Sequence, residues 1–255
     1  MANANNSLAK MLAILDAFSV DRHIWTVDAL ATHFGYTQPS TYRYIRELCD
    51  AGLIVRMPGG RYAIGARVVE LDSLIAETDP LTGVLSPMME SFSRTLGCTT
   101  LLSNAYGDHL INVKHFGGNE ILDLTFLRGR RLPWFRGATS TAILAFLSRA
   151  RVRKLFDQYY DGEKSKENWK KVLTKLNQIS DQGFSVSQGE IQENVVGVGC
   201  PIMASGEVLG SVTLVFSKAH AALLDHQATG RFLREKTMEC EMLLNSEETP
   251  KKVAE

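Results

Sequence analysis

The sequence predicts an α+β protein in two parts: an N-terminal winged helix-turn-helix, then an antiparallel sheet with helices gathered around it. Three observations carry this. Two short amphipathic segments meet at Gly35, and the second, about Gln38 to Asp50, leads into Leu53-Ile54-Val55-Arg56-Met57-Pro58-Gly59-Gly60-Arg61-Tyr62-Ala63-Ile64-Gly65, which reads as two strands around a tight turn. Beyond Gly97 the apolar period changes from helical to alternating. The later elements then run three strands, helices, three strands, helix, an order that segregates helices from an antiparallel sheet.

Ser7 is placed to cap a first helix whose Leu8, Met11, Leu12, Leu15 and Phe18 share a face. Asp21-Arg22-His23 reads as a loop. Thr26 caps a second helix with Val27, Leu30, Ala31 and Phe34 at helical spacing, and Gly35 ends it, being free to take positive φ. Thr37 is placed to cap the third helix, where Pro39 is tolerated because first-turn N–H groups have no intrahelical partner. Thr41, Ile45 and Leu48 form its buried stripe, which leaves Gln38, Ser40, Tyr42, Arg43 and Arg46 facing out.

Those outward types suit a helix laid in the DNA major groove. Glutamine pairs bidentately with adenine, arginine with guanine or a phosphate, and serine and tyrosine hydroxyls hold phosphates. With Pro39 at the helix start and Arg56 and Arg61 flanking the turn Pro58-Gly59-Gly60, they make up the candidate DNA-binding set, and double-stranded DNA is the expected partner. The blander reading of the same residues is a solvated surface, since some winged helices bind only protein.

A linker helix over Ala66 to Glu77 follows, with Val68, Val69, Leu71, Leu74 and Ile75 apolar and Asp79-Pro80 closing it. It is too short to be stable alone and is expected to pack between domains or against its twin. The next helix carries Val84, Leu85, Met88, Phe92 and Leu96. Strands are expected at Cys98 to Asn104, His109 to Phe116 and Ile121 to Leu127. Helices follow at Ala138 to Ser148, Arg151 to Tyr159 and Glu167 to Ile179. Strands return at Phe184 to Gln188, Val195 to Ala204 and Glu207 to Phe216, with Ser205-Gly206 as a hairpin turn, and one long helix spans Ala219 to Leu244. The expected division is a reader at 1–65, a linker at 66–79, a second domain at 80–246 and a polar tail at 247–255 that reads as disordered.

Composition narrows the function classes. Hydrophobic content of 45% in 255 residues is enough for each part to bury its own core. The formal net charge is zero, so any DNA affinity has to come from a local surface doubled by self-association. Cys49, Cys98, Cys200 and Cys240 lie far apart without a C-x-x-C pair, which argues against a zinc module or disulfide framework and fits a reducing cytoplasm. The opening Met-Ala-Asn-Ala-Asn-Asn has no signal-peptide character, and no apolar run approaches the ~20 residues of a membrane span. A soluble, cytoplasmic protein without a membrane partner is expected. No G-x-S-x-G, H-E-x-x-H, P-loop or G-x-G-x-x-G occurs, so neither catalysis nor a cofactor is expected. His109 and His115 lack short ligand spacing and read as ordinary sheet residues.

Specific motifs add to this. Gly35-Tyr36-Thr37-Gln38-Pro39-Ser40-Thr41-Tyr42-Arg43 is similar to a G-L-x-x-S-T-x-x-R reader segment, with Pro39 and Ser40 in the Ser-Thr places. Glu47 to Ile54 resembles an L-x-x-x-G-L-V lead into the wing, and Gly60-Arg61-Tyr62-Ala63-Ile64-Gly65 a G-x-Y-x-L-G signature. Gly129 to Pro133 resembles a G-x-x-x-P loop ahead of a helix that usually reads H-A-T-A-x-G-K-A; here Phe135 to Ala142 replaces the His, Gly and Lys. On these motifs the chain resembles the IclR family of bacterial transcriptional regulators over about residues 7 to 245. The resemblance implies a GAF-like second domain and a dimer, or dimer of dimers, on a pseudo-palindromic operator. It further implies control of a catabolic operon, as a repressor, by a small organic effector: a carboxylate, amide or aromatic compound. By position the effector would meet Ile121, Leu124, Ala138, Thr139, Gly197, Thr213 and Val215; the family's usual Cys is absent at Gly197 and its frequent Ser at Val215.

Physical reading of that region supplies its own candidates. Gly197, Gly199 and Gly210 remove side chains from strands and leave room. Ala138 and Thr139 stand at a helix start, which favours an anion. Trp134 and Phe135 offer aromatic walls, and Arg136 is placed to meet a carboxylate. Glu190 reads first as a solvated loop acid and second as a ligand contact. The alternative for the whole chain is an architectural or partner-assembly DNA-binding protein with no small-molecule ligand.

Overall fold

In the computed structural model, which describes residues 6–119 and 122–247, the chain divides between Asp79 and Pro80 into two units. Ile121 and the tail beyond Glu247 lie outside the described residues.

The first unit starts with α1 (Ser7–Ala13), and its cap is Asn6 rather than Ser7: the Asn6 side chain accepts from Leu8 N at 3.0 Å. The helix tightens into a 3-10 turn over Ile14–Ala17, which shifts the buried face. Ile14 and Ala17 therefore enter the core, while Leu8 and Leu12, expected in the stripe, stay exposed. Thr26 caps α2 (Val27–Phe34) through Ala29 N, and Gly35 closes it at φ 67°, a conformation L side chains rarely adopt. Thr37 precedes α3 (Gln38–Asp50) without capping it; its hydroxyl donates to Ser40 Oγ at 3.0 Å. Tyr44 joins Thr41, Ile45 and Leu48 in the buried stripe.

The wing is a three-stranded sheet, not a two-stranded ribbon. Trp25–Thr26 forms β1, paired with β3 (Arg61–Ile64), which pairs in turn with β2 (Ile54–Met57). Trp25 explains the addition: it is buried and its Nε1 donates to Ala17 O at 3.0 Å, which draws the preceding loop against the core. The unit ends in α4 (Arg67–Thr78), none of whose residues is buried.

The second unit opens with α5 (Pro80–Leu96) and β4 (Thr99–Tyr106), β5 (His109–Phe116) and β6 (Arg131–Leu132). It continues through α6 (Ala138–Leu144), α7 (Arg149–Tyr159), α8 (Lys166–Gln182), β7 (Ser185–Gln188), β8 (Val195–Ala204) and β9 (Glu207–Ser217). A short α9 (Lys218–Ala221) precedes α10 (His226–Glu247). The strands form one antiparallel sheet in the order β6-β5-β4-β9-β8-β7. Strand alternation gives it two apolar faces. One packs Leu102, Val198, Cys200 and Leu214 under Leu85, Met89 and Phe92 of α5 and Leu233 and Leu244 of α10. The other packs Leu101, Leu110 and Val215 against Ile143 of α6, Leu155 of α7 and Leu176 and Ile179 of α8.

Three expectations are corrected here. The strand expected over 121–127 is not one: residues 122–127 run as irregular backbone and turns. Leu124 and Phe126 are buried alternately, as in a strand, but side chains satisfy the backbone instead of a ladder. Gln192 Nε2 donates to Asp123 O at 2.9 Å, Thr125 N donates to Gln192 Oε1 at 3.4 Å, and Asn112 Nδ2 donates to Phe126 O. Next, α6 ends at Leu144, not Ser148, and Ser148 instead caps α7. The last helix is broken after α9, where Asp225 accepts from Gln227 N at 2.9 Å and Ala228 N at 3.1 Å and starts α10 afresh. α10 sits so close to the sheet that a Cβ on Gly230 would fall 2.2 Å from the Phe184 ring.

Candidate functional site

Two regions gather the candidate residues, one in each unit. On the first, burial of Thr41, Tyr44, Ile45 and Leu48 turns the opposite side of α3 outward. Gln38, Pro39, Tyr42, Arg43 and Arg46 are exposed there and Ser40 is half-buried; Arg56 and Arg61 are exposed on the wing strands. Several are already engaged. Gln38 Nε2 donates to Asp28 Oδ1 at 2.7 Å, so reading a base with this amide requires releasing that bond. Arg61 Nε donates to Pro58 O at 3.1 Å, which holds the side chain along the wing turn. Arg46 lies 3.9 Å from both Glu47 Oε1 and Asp50 Oδ2, an exposed arrangement of little strength. The Arg43 guanidinium lies 5.4 Å from the Tyr44 ring centroid. The wing arginines and the α3 row thus make a surface of donors over a packed base.

In the second unit, a cavity of about 370 Å³, its open mouth included, lies between the sheet and α6. Antiparallel register sets Gly197 opposite Val215 and Gly199 opposite Thr213, and β4 brings Leu101 beside Thr213. The two glycines do different things. A Cβ at Gly199 would fall 2.9 Å from Ala138 O, so this residue lets the α6 backbone rest on the sheet. One at Gly197 would fall 3.2 Å from Ser187 Oγ, so this residue keeps the floor open. Hydroxyls then tie α6 down: Thr139 Oγ1 to Thr213 Oγ1 at 2.8 Å, and Thr141 Oγ1 to Ser185 Oγ at 2.7 Å.

Of the expected effector residues, Ala138, Thr139, Gly197, Thr213 and Val215 line this cavity together. Leu124, Trp134 and Arg136 are not among its lining residues, and Ile121 lies outside the described residues. Trp134 is a core residue, buried with its Nε1 donating to Asp108 O at 2.9 Å. Leu124 packs in the same apolar cluster. Arg136 reaches across the cavity's rim: its Nε donates to Glu190 O at 3.0 Å, its Nη2 donates to the same oxygen, and Nη1 stands 3.9 Å from Asp161. Gly210 serves the fold, since a Cβ there would strike Ser103 O at 2.3 Å.

The lining also includes residues that sequence reasoning missed or ranked low: Leu101, Phe126, Leu132, Gly137, Ser187, Glu190, Ile191 and Val195. Leu101 and Leu132 arrive by strand pairing, for which the chain carries no local signal. Glu190 holds the start of α6. Its Oε2 accepts from Gly137 N at 2.7 Å and its Oε1 from Lys175 Nζ at 3.0 Å, while Ser187 Oγ accepts from Ala138 N at 3.0 Å. Of the N–H groups expected to meet an anion, that of Ala138 is therefore occupied by the protein itself. Among the described residues no group of three or more His, Cys, Asp or Glu is placed to hold a metal, and no helix is long and apolar enough to cross a membrane.

Comparison with known proteins agrees in both regions. The family described as "IclR helix-turn-helix domain" matches residues 7–58, and that described as "Bacterial transcriptional regulator IclR C-terminal" matches residues 75–237. The HTH-type transcriptional regulator KipR of Bacillus subtilis (strain 168) is 26% identical over 205 residues, 79% of this chain and 82% of KipR. XynR of Escherichia coli (strain K12), also an HTH-type transcriptional regulator, is 22% identical over 77% of this chain and 79% of its own length. Among solved structures, an IclR homolog from Microbacterium hydrocarbonoxydans complexed with 4-hydroxybenzoate superposes with a TM-score of 0.77 at 20% identity, covering 94% of this chain and 100% of that one. The Thermotoga maritima IclR gives 0.65 at 20% identity over 94% and 99%. A reader built on α3 and a wing, followed by a sheet domain with a cavity under α6, thus identifies this chain as a member of the IclR family of bacterial transcriptional regulators, a helix-turn-helix DNA-binding domain joined to a C-terminal ligand-binding domain.

Proposed function

We propose that this protein is a cytoplasmic repressor of a catabolic operon, released from or held on its operator by a small organic effector in the C-terminal domain. The observation that carries the DNA half is the exposed row Tyr42, Arg43 and Arg46 on α3, with Arg56 and Arg61 on the wing beside it. Arg43 reads a base edge; Ser40, Tyr42, Arg46, Arg56 and Arg61 hold backbone phosphates and fix register, and Gln38 and Pro39 meet the duplex at the helix start. The reader spans residues 1–65, the linker 66–79 and the effector domain 80–246. Self-association supplies the second half-site. The exposed apolar side chains of α4 (Val69, Leu74 and Ile75) and of α1 (Leu8 and Leu12) support it, because such surface is costly to leave in water.

The effector sits over Gly197, Thr213 and Val215 and under Ala138 and Thr139. Support comes from the cavity those residues line and from the ligand carried by the Microbacterium hydrocarbonoxydans homolog. Fluorescence anisotropy with DNA flanking the gene, repeated with catabolites of the adjacent genes, tests both halves. Saturable binding to a short palindromic segment that shifts with one catabolite is the expected result. Binding that no small molecule shifts would favour an architectural protein, and no preference over random duplex would end the operator reading.

A further inference from the structure

The cavity beneath α6 is nearly shut. Only about 30 Å³ of it can hold the centre of a water molecule, which is room for about two waters. Sites for organic ligands run to ~300–1,000 Å³, so a wall has to move before any effector enters. Most of the lining is fixed. Leu101, Gly197, Thr213 and Val215 belong to paired strands, and α6 is tied to the sheet through Thr139–Thr213 and Thr141–Ser185. Phe126, on irregular backbone, is anchored by the bond from Asn112 Nδ2 to its carbonyl. The least anchored part is the connection between β7 and β8, residues 189–194, which lies in neither helix nor ladder and supplies Glu190 and Ile191 to the lining.

This loop has a built inner face. Gly189, at φ 66°, closes its base by donating from N to Val195 O at 2.9 Å. Glu190, Ile191 and Gln192 are half-buried, while Gly189, Glu193 and Asn194 are exposed. Glu190 fastens one side: Oε2 accepts from Gly137 N at 2.7 Å, Oε1 pairs with Lys175 Nζ at 3.0 Å, and the backbone O accepts from Arg136 Nε at 3.0 Å. Gln192 fastens the other, donating to Asp123 O at 2.9 Å and accepting from Thr125 N at 3.4 Å. Between them Ile191 packs against the apolar cluster of that face. A Cβ on Gly137 would fall 2.5 Å from Ile191 Cδ1, so the glycine leaves the space that the loop tip occupies. The bonds to Arg136, Asp123 and Thr125 lie exposed, so water replaces them as the loop lifts.

We propose that loop 189–194 is a lid over the effector cavity, with Ile191 as its plug and Glu190 and Gln192 as its latches. Lifting it withdraws the Ile191 side chain, and the effector takes the space that side chain leaves. Closed and open forms exchange in the free protein, so apparent effector affinity is scaled by the fraction open and rises when a latch is cut. The purpose of the lid rests on the effector reading above; its existence does not.

The test needs no effector. Val215→Cys in the full chain puts a thiol in the cavity floor, and labelling with methyl methanethiolsulfonate at about pH 8 is read thiol by thiol by peptide mass spectrometry. Cys98 and Cys200 belong to the cluster on the other face of the sheet, so they report unfolding rather than lid opening. The introduced thiol labels faster than both. Gln192→Ala or Ile191→Ala, each added to Val215→Cys, speeds it by about tenfold while Cys98, Cys200 and the melting temperature stay put. Glu193→Ala, exposed on the same loop, leaves the rate unchanged. Labelling that keeps pace with Cys98 and Cys200 in every variant overturns the lid, as does a rate unmoved by both Gln192→Ala and Ile191→Ala. Either result leaves the effector reading standing, because the anisotropy measurements above judge that separately.

Discussion

At the scale of single residues, the separation between side chains that hold the fold and side chains that face outward is sharp enough to test. Arg43→Ala removes a long exposed side chain from α3, so operator affinity falls by about 1–3 kcal/mol while the melting temperature and effector affinity stay put. Arg61→Ala, on the wing, weakens all sequences alike and lowers the salt slope of binding by about one per protomer, about two for a dimer on its operator; anisotropy across a salt series separates the two. The cysteines give an independent check on burial. Burial pushes the Cys98 and Cys200 thiols up to about 12, whereas Cys49 is half-buried and raised less strongly. At about pH 8 a thiol reagent should label Cys49 first and reach Cys98 and Cys200 only on unfolding, because the thiolate is the reactive form. Rapid labelling of either in the native protein would contradict the packing beneath the sheet. Legibility also varied residue by residue. Ala138, Thr139, Gly197, Thr213 and Val215 were found from motif and glycine spacing, and they do share a cavity. Trp134 and Arg136 are types that serve a core or a backbone-bonded loop as readily as a ligand, so residue type alone misplaced them.

At the scale of elements, most boundaries followed from caps and periodicity, and the exceptions have physical causes. Segment 122–127 alternates in burial like a strand, yet its backbone is met by the side chains of Asn112 and of Gln192, the latter about 67 residues away in the chain, and no local pattern announces such bonds. The break before α10 was readable in retrospect from Asp225, a good N-cap set inside a long apolar pattern. Its carboxyl is held below the ordinary value, first by the Ala228 N–H and then by the Gln227 N–H. A folded value below the unfolded one means the contribution is full above the unfolded value and is lost as pH falls through the folded one. A carboxyl NMR titration should place the Asp225 midpoint below 3.8, and Asp225→Ala should raise amide exchange at the start of α10. Gly230→Ala sets two effects against each other. Helix propensity favours alanine by about 1 kcal/mol, but the new methyl would overlap the Phe184 ring, and overpacking costs about 1–3 kcal/mol. With a contact of 2.2 Å the overlap wins, and urea unfolding should show a net loss; a stabilised variant would mean that α10 is not seated there.

At the scale of the whole molecule, we propose that the effector acts by a population shift between states that differ in operator affinity. Reciprocity then requires operator DNA to change effector affinity by the same factor that effector changes DNA affinity. Calorimetry of the effector with and without saturating operator measures this directly, and equal affinities would remove the coupling. Zero net charge makes the DNA arm depend on a few arginines rather than on bulk field, so its salt slope should follow the number of phosphates those arginines meet in both half-sites. Gly197 carries one more consequence. An alanine methyl there would stand 3.2 Å from Ser187 Oγ and 3.3 Å from Ala138 Cβ, crowding that neighbours relieve by a few tenths of an ångström. Glycine and alanine codons differ by a single base, so on the proposed reading a lineage is one point mutation from a regulator with a shallower floor to its pocket, and one reversion from restoring it.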